Sequence, residues 1–85
     1  MKRQEQFRPA LDAQVERWSA KSSEQLLTEL RDVQAYEIEF EGKWYQVEVE
    51  ILENTEKYVH VSVAVDDGTL SAVLRPLATS FIRDK

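Results

Sequence analysis

The chain has 85 residues, 42% of them hydrophobic and 32% charged, with a formal net charge of −5 and no cysteine. This length and composition describe one globular domain with a small core, not a disordered chain. The missing cysteines exclude disulfides, thiolate zinc sites and a cysteine nucleophile, and the acidic balance argues against non-specific nucleic-acid binding and docking on anionic membranes. No apolar run reaches the ~18 residues of a membrane span. The opening MKRQEQFRP lacks the apolar core of a signal peptide. A cytoplasmic location is the default expectation.

Residues 1 to 8 are polar apart from Phe7 and read as a loose tail or a frayed first turn. Pro9 suits the first turn of a helix, where its missing N–H costs nothing. Phe7, Leu11, Val15 and Trp18 recur at helical spacing, which predicts a helix from about Pro9 to Ser19. Trp18 is expected to fill the gap between the helices and a sheet. After the link Ala20-Lys21, Ser22 followed by Gln25 offers a capping box, with Ser23 and Glu24 as the other start signal. Leu26, Leu27 and Leu30 then make the stripe of a shorter helix ending near Arg31-Asp32, so that 9–32 is a helical pair.

The stretch from Tyr36 to Asp67 holds three runs of strict alternation. Tyr36, Ile38 and Phe40 share one parity; so do Tyr45, Val47, Val49 and Ile51, and then Val59, Val61, Val63 and Val65. A period of two rich in β-branched and aromatic residues marks half-buried strands. Gly42-Lys43 can close a type II′ hairpin, which would pair Phe40 with Tyr45 and Tyr36 with Val49. A loop Asn54-Thr55-Glu56 would pair Ile51 with Val59 and Glu50 with His60. A one-residue slip would turn a whole apolar row to water.

Beyond the third run, Asp67-Gly68 signals a type I′ turn into a fourth strand, pairing Val65 with Leu70, Val63 with Ala72 and Val61 with Leu74. A short helix over 69–77, capped by Thr69, competes with that strand, and Pro76 argues against a long one. Thr79 to Lys85, with Phe81-Ile82, reads as a last edge strand or a hydrophobic arm.

The opposite parity carries Glu37, Glu39, Glu41, Trp44, Gln46, Glu48, Glu50, Tyr58, His60, Ser62 and Ala64. On this register Glu37 would face Glu48, an unfavourable pair of like charges. Ser62, His60 and Glu50 invite comparison with a hydrolase triad. Residues two apart on a strand stand ~6.5–7 Å apart, too far for a direct hydroxyl–imidazole bond. The chain also has one histidine and no nucleophile-elbow motif. One histidine is a poor start for a zinc site. The carboxylates would need a deep cleft to work as an acid/base pair.

The expectation is therefore an α+β domain: two N-terminal helices packed on one face of a three- to four-stranded antiparallel meander spanning 36–85. The order of elements is similar to that of several small bacterial interaction and immunity-type domains, a likeness that does not fix function. The expected role is a non-enzymatic protein–protein interaction module without a cofactor. Its acidic sheet face would use Glu37, Trp44, Glu48, Glu50, Tyr58 and His60 to meet a protein partner, a basic one by charge, and not a nucleic acid or a membrane. The alternative is a small-ligand or metal-binding domain with its site at a homodimer interface. Edge pairing or helix exchange would make that dimer.

Overall fold

A computed structural model of the chain describes residues 3–69 and 76–85, with side chains from Phe7 onward. The elements run α1 (Arg3–Ser19), α2 (Ser23–Glu29), β1 (Gln34–Phe40), β2 (Lys43–Asn54), β3 (Tyr58–Asp66) and β4 (Leu77–Asp84). The four strands form one antiparallel sheet in the order β1-β2-β3-β4. Both helices pack on one face of it, so the architecture is the expected α+β.

Helix α1 begins at Arg3 and not near Pro9, so the stretch is no loose tail but is helical from that residue. Phe7 explains the difference. It is the first member of the apolar stripe, is 3% exposed, and meets Tyr45 of β2 edge-on with ring centroids 5.6 Å apart. Burying a phenylalanine is worth ~1.5–3 kcal/mol, enough to hold the first turns on the sheet. Pro9 consequently lies inside the helix, not at its start. The stripe continues through Ala10, Leu11, Gln14 and Trp18.

Helix α2 starts as expected. Gln25 N–H donates to Ser22 Oγ at 3.1 Å, and Ser22 N–H donates to the Gln25 side chain at 3.0 Å. These two bonds satisfy reciprocal orphan donors. At the other end the Gln34 side chain donates to the Glu29 carbonyl at 3.0 Å, so the first residue of β1 closes the helix that precedes it.

The core is a valine ladder covered by these helices. Val47 faces Val65, Val49 faces Val63, and Ile51 faces Val61 across β2 and β3. Val47, Val49, Val59, Val61, Val63 and Val65 are all 1% exposed or less. Beside them Trp18 Nε1–H donates to Tyr36 Oη at 2.7 Å, and Tyr36 Oη–H donates to Gln14 Oε1 at 2.6 Å. This chain lets a buried indole and a buried amide sit under the sheet with their polar atoms paired.

Both hairpins keep the predicted faces as far as Ile51 but differ in register, by two residues up to that point and by three beyond it. In the first, Phe40 pairs with Lys43, Ile38 with Tyr45 and Tyr36 with Val47. The central turn residues are Glu41 (φ 51°) and Gly42 (φ 79°), which is a type I′ turn and not the II′ turn at Gly42-Lys43. Type I′ needs a left-handed backbone at both central positions, which Gly42 takes freely and Glu41 takes at a cost. In the second hairpin Glu53 pairs with His60 and Glu50 with Ser62, so the expected Glu50–His60 pair does not form. A β-bulge between Ile51 and Glu53 absorbs Leu52 as an extra residue. Thr55 closes the loop: its N–H donates to the Tyr58 carbonyl and its hydroxyl accepts from Tyr58 N–H.

The partner of β3 on its other side is β4, with Val65 opposite Leu77, Val63 opposite Thr79 and Val61 opposite Phe81. The pairings of β3 with Leu70, Ala72 and Leu74 are therefore replaced, and the last edge strand at Thr79 to Lys85 is the one that forms. Asp67 does not take the positive φ that a type I′ turn requires. Instead Asp66 Oδ1 accepts from Gly68 N–H and Asp67 Oδ1 accepts from Thr69 N–H, bending the chain without closing a tight hairpin. The strand or helix expected within 69–77 falls on 70–75, outside the described residues.

Two stability changes follow. Tyr36→Phe strands the Trp18 N–H and the Gln14 carbonyl oxygen and is expected to cost about 1–3 kcal/mol in urea unfolding. Glu41→Asn suits the left-handed position better and is expected to raise stability by about 0.5–1 kcal/mol in the same assay.

Candidate functional site

The helices cover one face of the sheet, and among the described residues no element covers the other. Alternation sends Ala35, Glu37 and Glu39 of β1 to this outer face, with Trp44, Gln46, Glu48 and Glu50 of β2. Strand β3 adds Tyr58, His60, Ser62, Ala64 and Asp66, and β4 adds Ala78, Ser80, Ile82 and Asp84. All six residues singled out from the sequence thus share one face. No lysine or arginine of the described strands shares it.

Their neighbours differ from those expected, because of the two-residue register shifts. Glu37 faces Gln46, not Glu48. Glu48 lies between Ala35 and Ala64, and Glu50 is opposite Ser62. Direct carboxylate opposition is thereby avoided in the middle of the sheet. Trp44 pairs with Glu39 beside the first turn and is 61% exposed.

The far end of the face carries a second cluster. The bulge brings Glu53 onto the row of His60 and Ile82. Tyr58 Oη–H donates to Glu53 Oε1, and His60 Nε2 is 2.9 Å from Ser80 Oγ. The bond to Glu53 raises the Tyr58 pKa above its ordinary 10.0, with smaller contributions from desolvation and the Glu53 charge. Ile82 is 57% exposed. Glu53, Ser80 and Ile82 were not among the residues singled out from the sequence: a bulge leaves no mark in an alternation pattern, and the β4 register was assigned to another segment.

Between the two ends, β1, β2 and β3 enclose a shallow groove of about 550 Å³. Ala35 and Ala64 make its floor, Glu37, Glu48 and Asp66 its walls, and Pro76 borders it. A second hollow of about 370 Å³ lies at the end of α2, lined by Leu27, Leu30, Val33 and Ile51. Among the described residues, no three His, Cys, Asp or Glu side chains converge as metal ligands. Nor is any helix of the described residues long and apolar enough to cross a membrane.

No protein-family model matches the chain, and no curated protein or solved structure matches it either.

The Tyr58–Glu53 contact has a measurable signature. A phenol whose pKa is raised in the fold adds stability that is present below pH 10 and lost as the pH rises through the folded-state value. Glu53→Ala is expected to move the Tyr58 titration, followed by the NMR shifts of its ring, to lower pH.

Proposed function

We propose that this chain is a non-enzymatic protein–protein interaction module that receives a basic partner on its outer sheet face. The observation that carries the reading is the row Glu37, Glu39, Glu48 and Glu50, exposed on one open face without a described lysine or arginine among them. Carboxylates in that arrangement steer a positively charged surface toward the sheet and penalise acidic competitors. Trp44 at one end and Tyr58 with Ile82 at the other supply apolar and aromatic area, the kind of side chain that dominates interface energies. Between them Ala35, Ala64, Ser62 and Ala78 keep the surface low enough for a partner's backbone to approach.

The test is affinity capture from the native host with wild-type protein, Trp44→Ala and Glu48→Lys. Both substitutions lie on the exposed face, and circular dichroism is expected to show an intact fold. A basic protein retained by wild type should be lost with either variant, through at least a ~30-fold weaker affinity. Its retention should also fall with added salt. Identical captured sets from all three baits would overturn the reading.

A further inference from the structure

We propose that the free edge of β4 pairs with β4 of a second copy of this chain, antiparallel about a twofold axis through Phe81, joining two four-stranded sheets into one. This goes beyond the acidic-face reading and does not depend on it.

Among the described residues the sheet has two edge strands, β1 and β4, and they are guarded differently. Edge strands are kept from pairing by charge, proline, bulges or cover. Along β1 stand Glu37 and Glu39, so self-pairing there crowds carboxylates together. Along β4 there is no charge from Leu77 to Ile82 and no proline, and its register with β3 runs without a bulge. Among the described residues nothing pairs with its outer edge. Phe81 and Leu77 stand at the rim of the core only half-buried.

The backbone sets which residues are available. Lys85 N–H donates inward to the Lys57 carbonyl at 2.9 Å. Alternate residues of an antiparallel strand point the same way, so Phe81 and Arg83 also bond inward while Ala78, Ser80, Ile82 and Asp84 present their N–H and C=O groups outward. Those four residues are the ladder a second strand must meet.

The twofold axis must also keep like faces together, which restricts it to pass through a residue. An axis through Thr79 or Ser80 would bring Pro76, which has no N–H, into the ladder. An axis through Phe81 bonds Ser80 to Ile82 of the second copy and Ala78 to Asp84 of the second copy. Every outward group from Ala78 to Asp84 is then used. Phe81 meets Phe81 of the second copy in a non-hydrogen-bonded pair, the closer kind, and aromatic pairs there are favourable. Thr79 falls beside Arg83 of the second copy, and no like charges are opposed. Because the axis stands perpendicular to the sheet, both outer faces look to the same side, and the dimer presents two acidic faces to one partner surface.

Sedimentation equilibrium over a range of concentrations tests this. Wild type is expected to reach twice the 9.9 kDa chain mass. Ala78→Asp places a carboxylate opposite Asp84 of the second copy at two symmetric positions, and is expected to raise the dimer dissociation constant roughly 10-fold. Adding Asp84→Lys to that variant is expected to restore wild-type association. Ile82→Pro removes an outward N–H from an exposed edge position and is expected to leave a monomer with an unchanged circular dichroism spectrum. A wild-type monomer at every concentration overturns the proposal. So does a dimer that Ala78→Asp leaves untouched, or one that Asp84→Lys fails to rescue.

Discussion

Val47 against Val65 and Val49 against Val63 hold the sheet to one parity. Each of these side chains is essentially out of water, and each is worth ~1.5–3 kcal/mol by its burial. A slip of β2 by one residue against β3 would turn Val47 and Val49 to water together and drive Glu48 and Glu50 under the helices. With two carboxylates buried as well, that penalty is of the order of the ~5–15 kcal/mol net stability of a typical domain, so odd registers are closed to this chain. Even shifts carry no such penalty, and it is among them that turn and bulge chemistry choose.

The same constraint shapes the outer face. With α1 and α2 both committed to the valine side, no described element is left to cover the carboxylates, Trp44 or Ile82. A chain that buries its apolar rows on one side of a single sheet must leave the other side to water or to a partner. Leu52 is an apolar residue that alternation sends outward in the middle of β2. The bulge sets it aside at 53% exposure and puts Glu53 in register with His60. The acidic row thus reaches the end of β3, where Tyr58 donates a hydrogen bond to its last carboxylate.

How much of this was legible in the sequence differs by residue. Glu37, Trp44, Glu48, Glu50, Tyr58 and His60 could be placed on one face because parity needs only the alternation of neighbours along a strand. Which of them stand side by side was not legible. Glu37 beside Gln46, and Glu53 beside His60, follow from the left-handed pair Glu41-Gly42 and from the bulge, and neither changes the apolar pattern. The length of α1 was misread for a similar reason. Phe7 falls on the helical stripe by spacing, but that the helix extends back past it to Arg3 depends on its packing against Tyr45.

Local pattern by itself determined the two helices and the first three strands, the inward and outward sets of those strands, the capping box of α2 and the acidic character of one face. Each of these is written in residues at most a few positions apart. Tertiary structure alone decided the partner of β3, which is Leu77–Asp84 and not the nearer apolar segment, and the cross-strand neighbours on the open face. Those choices compare pairings between segments that are far apart in the chain and equally apolar. Their energies differ through turn strain, bulges and side-chain fit, which a single run of sequence does not contain.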